Sequence, residues 1–251
     1  MPFDKFQCVV TGQPVTVANC IAHATSEGGQ LAEIGCPFTP AILRGIAKTL
    51  EEQPMPNGAV RVTQLLGCPR RHQWQRAHPY IMDPRDAYNL FRGQIGHAIV
   101  ESYHGSEILL SEECLSAKIA GVTVTGQPDA VVDTERRHLD DYKTTKRIPR
   151  EPYAHHIAQI NVYAWLLRKA KDIRIETASI VYLDMGGVAR LAVPLWSRKQ
   201  TEKFLRERIA AWREKATIPS AWECKSCPLS VWECTHAPHR PAQESALEEA
   251  A

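Results

Sequence analysis

The segment from Gly126 to Lys143 reads G-Q-P-D-A-V-V-D-T-E-R-R-H-L-D-D-Y-K, and it constrains the fold more than any other stretch. It sets Asp129 twelve residues before Asp141, and Asp141 two before Lys143. A β-strand alternates its side chains with period two, so Asp141 and Lys143 share a face while Tyr142 points away. Asp140, one residue off, faces the other side. Two carboxylates and an ammonium gathered on one spot are costly in an apolar core. They suit a divalent cation that holds a phosphate and a water. Hard cations such as Mg²⁺ take oxygen ligands, usually one or two carboxylates, and leave other positions to water and substrate.

The second signal is Cys224-Lys-Ser-Cys227-Pro-Leu-Ser-Val-Trp-Glu-Cys234, a C-x2-C-x6-C run, with Cys68 separated from it by 155 residues. Three clustered thiols and one remote thiol make up the four thiolates of a cubane iron–sulfur cluster. Such a staple removes chain entropy from the unfolded state, in principle roughly 3–5 kcal/mol for loops of this order. Zinc suits the same four thiolates.

In chain order the sequence presents Cys68, His97 in R-G-Q-I-G-H, G-x-P-D (Gly126 to Asp129), D-Y-K (Asp141 to Lys143), Q-I-N-V-Y (Gln159 to Tyr163) and the C-terminal C-x2-C-P-x5-C. Each element alone is weak, since D-x-K occurs by chance in most proteins. The ordered set, over about residues 60–236, resembles the RecB-like branch of the PD-(D/E)XK nucleases. It is most similar to the iron–sulfur exonucleases of the fourth CRISPR-associated (Cas) family. The resemblance implies an α/β, restriction-endonuclease-like mixed sheet flanked by helices, with a [4Fe-4S] cluster on Cys68, Cys224, Cys227 and Cys234 linking N- and C-terminal segments. It implies one or two Mn²⁺ or Mg²⁺ ions held by His97, Asp129, Asp141 and the Tyr142 carbonyl, the imidazole tilting preference toward Mn²⁺. It also implies that Gln159 and Tyr163, four apart and so on one helix face, line the active site. Lys143 then orients the nucleophile or acts as general base, and two neighbouring carboxylates favour the electrostatic role.

The implied activity is a metal-dependent deoxyribonuclease, a 5′-to-3′ exonuclease on single-stranded DNA that trims spacer precursors, with the CRISPR integrase complex as partner. The same chemistry fits a stand-alone RecB-like nuclease of phage or repair origin. A non-catalytic DNA-end binding subunit is a further reading, which the intact acidic set and Lys143 disfavour.

At 251 residues the chain can bury one good core and a small appendage. Its net charge of +2 is too mild to announce nucleic acid, so DNA affinity must come from local placement, as in Arg136, Arg137, Lys143, Lys146, Arg147 and Arg150. No run of 18 apolar residues and no signal-peptide core are present, and a cytoplasmic protein is expected. Eight cysteines there argue for metal ligation over disulfides. No G-x-x-x-x-G-K-[ST] loop occurs, so the chain shows no helicase motor.

Three parts are expected: a small N-terminal module over 1–57, a nuclease domain over 58–236 and a disordered tail over 237–251. In the first, Cys8, Cys20, His23 and Cys36 offer a Cys3His donor set for zinc, although their spacings match no finger signature. In the second, helices are expected over 62–76, 86–104 (with Leu90, Ile95, Ile99 and Tyr103 as apolar positions), 153–170 and from the N-cap Ser197 to 215. Strands are expected at 107–115, 117–125, 127–133, 138–144, 174–184 and 188–195, with Gly126 as the link between the second and third. Trp74, Trp222 and Trp232 lie near the cysteines, placed to stack bases or to pack. His155 and His156 read as surface residues.

Overall fold

A computed structural model of the chain describes residues 3–25, 36–50, 58–103, 105–133, 135–219, 223–224, 227–229 and 234–236. The segments group into two units, one of residues 55–67 and 93–216, the other of residues 1–54, 68–92 and 217–251. The expected tail over 237–251, together with Trp222 and Trp232, lies outside the described residues.

The first unit carries a five-stranded sheet in the order β11-β10-β9-β8-β5, built from β5 (Ile108–Ser111), β8 (Ala130–Val132), β9 (His138–Thr144), β10 (Thr177–Leu183) and β11 (Val188–Ala192). β9 and β10 run parallel and the other neighbours antiparallel, so the sheet is mixed. A second sheet, β3-β7-β6, joins Ala59–Arg61, Val122–Gly126 and Leu115–Ile119. Helix α6 (Ala154–Lys171) packs on β6, β7, β9 and β10. Its buried residues Ile160, Val162, Tyr163, Leu166 and Leu167 join Leu139, Ile180 and Tyr182 of the strands in one core. Helix α7 (Arg198–Arg213) starts where expected, Ser197 accepting the Gln200 amide in a capping box. From α7, the Arg208 guanidinium donates to the carbonyls of Leu65 and Gly67.

The strand expected over 117–125 is two strands, β6 and β7, and the strands expected over 107–115 and 127–133 are shorter; those at Phe3–Gln7, Pro14–Thr16, Ala59–Arg61 and Tyr80–Met82 were not expected. The tight turn falls at Ala120 and Gly121, both with positive φ (48° and 74°), and joins β6 to β7. Two successive left-handed residues are the demand of a two-residue hairpin, and glycine meets it at the second position. Gly126 serves close packing instead. A Cβ there would lie 2.7 Å from Tyr163 Cε1, 2.8 Å from Leu166 Cδ1 and 3.0 Å from Val62 Cγ2.

The second unit holds a three-stranded sheet, β2-β1-β4, from Pro14–Thr16, Phe3–Gln7 and Tyr80–Met82, with helices α1 (Val17–Thr25) and α2 (Pro40–Leu50). Phe6, Leu43, Ile46, Met82 and Ala87 form its core. The N-terminal segment therefore shares a sheet and a core with residues 80–87; the units divide between residues 54 and 55, near the position expected, but residues 68–92 and 217–251 group with the N-terminal segment. Apolar side chains spread over distant segments gather once β1 pairs with β4.

The helix expected over 62–76 is two helices, α3 (Val62–Leu66) and α4 (Pro69–Ala77), with Cys68 as the N-cap of the second. Pro69 cannot donate an interior hydrogen bond but fits the first turn, so the break falls before it. Helix α5 (Pro84–Glu101) leaves Leu90, Ile95 and Ile99 exposed, and Tyr103 beyond its end is exposed too. Among the described residues no helix is long and apolar enough to cross a membrane.

Candidate active site

Asp141 and Lys143 lie on one face of β9, and Lys143 Nζ stands 2.5 Å from Asp141 Oδ2. Asp141 is fully buried, and among the described residues no donor besides that ammonium serves either of its oxygens. Asp140 points away, into a network with Arg190 (Nε 3.0 Å, Nη2 2.7 Å) and His138. The period-two reading of D-D-Y-K is the reason these neighbours part company.

Asp129 enters just before β8, where its Oδ2 accepts the Tyr142 amide at 2.6 Å. Burial, and then the charge of Asp141, pushes its carboxyl above the ordinary range. His97 reaches the same carboxylate from α5, with Nδ1 at 3.5 Å from Asp129 Oδ2 and 3.4 Å from Glu112 Oε1. The contact with Glu112 raises the His97 pKa; burial works against it, and Asp129 adds to the rise. Gly96 leaves room for Thr144 of β9, since a Cβ there would come within 2.9 Å of the threonine methyl.

Glu112 is a site residue that sequence reasoning missed. Among the described residues, His97, Glu112 and Asp129 are the trio of potential ligand atoms that all lie within 4.8 Å of one another. Glu112 follows β5 with φ 49°, a left-handed conformation that costs a non-glycine residue about 1–2 kcal/mol. Its amide donates to Pro128 O at 3.0 Å, and Gln127 Nε2 donates to its carbonyl at 2.6 Å. These bonds tie it to the chain that delivers Asp129. The one signal in the sequence was an acidic pair, Glu112-Glu113, at a strand end.

The donor set fits a hard or borderline divalent ion: carboxylates, one imidazole, and the fully buried Asp141 carboxylate. The Tyr142 carbonyl faces the same site but accepts from Lys143 Nζ at 3.3 Å. Burial opposes the charge on Lys143, yet Asp141 and Asp129 outweigh it and raise its pKa, so it stands as an ammonium. From α6, Gln159 Nε2 donates to Tyr163 Oη at 2.8 Å, both side chains being buried. Burial, then Asp141, raises the Tyr163 pKa and keeps its proton in place. Of the cations expected to meet phosphate, Arg137 sits 3.5 Å from Asp133. A cavity of about 880 Å³ lined by Trp165, Arg168, Lys169 and Trp196 lies on another face of α6 and contains none of these groups.

In the second unit, Cys68, Cys224, Cys227 and Cys234 line a single small cavity with Arg70, Arg71 and Leu229. Burial raises the Cys227 pKa, with Cys234 and Cys68 close enough to add to the effect. Glu223, buried, accepts the Cys68 amide on both oxygens (3.3 and 3.1 Å) and lies 3.4 Å from His72 Nε2. Sequence reasoning missed Glu223 as well. Trp74 stacks on His78 at 5.0 Å. Around Cys20, burial and the nearby Cys36 and Cys8 push the thiol up to about 11. His23 follows Cys20 by three residues on α1.

A family model described as the PD-(D/E)XK nuclease superfamily matches residues 106–232. No curated protein sequence matches the chain. Among solved structures, that of SSO0001 is similar at TM-score 0.55 and 20% identity, covering 74% of this chain and 90% of that one. That likeness bears on the fold alone. The alkaline exonuclease LHK-Exo from Laribacter hongkongensis aligns at TM-score 0.37 and 15% identity, over 68% of this chain and 93% of that one. Its complex with dAMP aligns at TM-score 0.40.

Proposed function

Because this chain belongs to the PD-(D/E)XK nuclease superfamily, we propose that it is a metal-dependent deoxyribonuclease that digests DNA from single-stranded ends. One observation carries this reading: the fully buried Asp141 carboxylate, whose one charged partner among the described residues is the Lys143 ammonium, stands next to the His97, Glu112 and Asp129 trio.

A divalent ion bound there supplies a water of lowered pKa and stabilises charge on the phosphate oxygens. The protein's own part is orientation. Asp129, held by the Tyr142 amide, and His97, held between two carboxylates, have few alternative rotamers. Lys143 stays protonated and faces the scissile phosphate as a fixed positive charge. Gln159 donates to the Tyr163 hydroxyl, which keeps its own proton, and both buried side chains close the inner side of the site.

The four-cysteine cavity supports a [4Fe-4S] cluster. Four thiolates converge there, and Arg70 and Arg71 offset the negative charge that four thiolates bring. Cys8, Cys20, His23 and Cys36 offer donors for zinc in the same reading. The sequence resemblance supports 5′-to-3′ trimming of spacer precursors, with the CRISPR integrase complex as partner.

The test is incubation of the intact protein with end-labelled single-stranded DNA and Mn²⁺, with and without chelator, beside Asp141→Asn and Lys143→Ala. Metal-dependent shortening that both substitutions abolish is expected. A substituted protein that still shortens DNA at the parental rate rules the reading out. Iron, zinc and sulfide analysis after anaerobic purification decides the cluster.

A further inference from the structure

Parallel pairing of β9 with β10 sets Tyr182 beside Lys143 on the same sheet face as Asp141. The Tyr182 hydroxyl is fixed from two sides at the start of α6. It accepts the Tyr153 amide at 3.1 Å, and His156 Nδ1 lies 2.8 Å away. Since the hydroxyl already accepts from Tyr153, its own proton can go to Nδ1, and in that tautomer the imidazole carries its proton on Nε2. Among the described residues, Nε2 has no hydrogen-bond partner.

His156 also belongs to the active-site stripe of α6. His156, Gln159 and Tyr163 are spaced i, i+3, i+7 and so share a helix face. The surface position expected for His156 is thus corrected: the ring is half-buried one turn from Gln159. Burial, then the Lys143 charge, drives its pKa down to about 2, so it remains neutral. Beside it Tyr153, 45% exposed, stacks on His155 at 5.8 Å with an interplanar angle of 11°.

We propose that this cluster is a nucleotide subsite, in which His156 Nε2–H donates to a phosphate oxygen next to Lys143 and the Tyr153–His155 pair supports an unpaired base. A neutral donor fits here because a second cation beside Lys143 would be repelled. An exposed ring has a use when bases are unstacked, which favours single-stranded ends over duplex. Tyr182 is a positioning residue. The inference rests on the nuclease reading above.

Binding is measured by fluorescence anisotropy on the full-length protein in chelator, where cleavage is silent. The probes are an oligo-dT strand and an abasic strand of equal length. Tyr153→Ala is expected to weaken oligo-dT binding about tenfold and leave the abasic strand unchanged. Tyr153→Phe retains binding. His156→Ala weakens both strands about tenfold, and His156→Gln, which keeps an N–H donor, restores much of it. Tyr182→Phe falls between. If Tyr153→Ala weakens both strands equally, or His156→Ala binds as the parent does, the subsite is overturned while Mn²⁺-dependent cleavage by the parent still stands. A parent protein that neither binds nor cleaves DNA overturns the nuclease reading itself.

Discussion

Substituting Gly126 by alanine tests the closest packing in the site. The added methyl would meet Tyr163, Leu166 and Val62 at 2.7, 2.8 and 3.0 Å, distances real Cβ atoms essentially never show or rarely tolerate. All three neighbours are at most 5% exposed, so none can swing into solvent. Overpacking of this kind costs about 1–3 kcal/mol. The backbone φ at Gly126 is not positive, so alanine also gains about 0.4–1 kcal/mol by restricting the unfolded chain. From the middle of both ranges the net loss is about 1.3 kcal/mol, a fall in Tm of about 3–5 °C for a domain of this size. Function should suffer more than stability, because the displaced Tyr163 ring loses its bond from Gln159. Thermal melts by circular dichroism and cleavage rates well below Tm measure the two effects separately. Shortening a neighbour, as in Gly126→Ala with Leu166→Val, should recover part of the Tm loss. Parental Tm and rate in the single variant would refute the close approach of α6 to the G-x-P-D turn.

Four further outcomes follow from the geometry. Glu112→Gln should weaken Mn²⁺ binding by at least about tenfold, measured calorimetrically on chelator-stripped protein, since even outer-shell partners contribute that much; unchanged affinity removes Glu112 from the metal set. His97 and Asp129 both have raised pKa values, so both must shed protons to bind an ion. Affinity should therefore fall as pH drops through the raised His97 value, above its ordinary 6.5, by up to about tenfold per unit for each proton displaced. Titrations in buffers of different ionisation enthalpy count those protons, and no release contradicts the assignment. Glu202 is depressed from 4.5 to about 2 by its bond from Arg198, burial opposing and Trp165 and Lys169 assisting. Its contribution is present above about 4.5 and disappears as pH falls toward 2, so Glu202→Gln should lose about 1 kcal/mol at pH 7, after discounting for solvent screening, and almost nothing near pH 2. Urea titrations at both pH values read the difference. Glu223→Ala strands the Cys68 amide at a cost of about 1–3 kcal/mol, and iron content per chain should drop; full iron loading would show that Glu223 does not align the cysteines.

Local rules were legible where the chain's own periodicity carries the information. Alternation in D-D-Y-K separates Asp141 from Asp140 without any tertiary knowledge, and the three-residue spacing from Ser197 to Gln200 marks the α7 cap. His156 was legible in principle, because it precedes Gln159 and Tyr163 at i+3 and i+7 on the same helix. Glu112 was not. It sits off the strand pattern in a left-handed conformation, and it meets His97 only because β5 pairs with β8. The hairpin turn was misplaced for a related reason. Two glycines, Gly121 and Gly126, look alike in sequence, and only the packing of α6 shows which makes the turn and which makes room.

By itself the amino-acid sequence determined which candidate ligands exist: which acids share a strand face, which lysine accompanies them, and which thiols are there to be gathered. Those depend on residue type and on dihedral periodicity, which act over a few positions. Tertiary structure alone decided the partners, bringing Glu112 to His97, Glu223 to Cys68, and residues 3–7 to residues 80–82. Such meetings depend on pairing and burial between segments far apart in the chain, and no spacing rule within either segment encodes them.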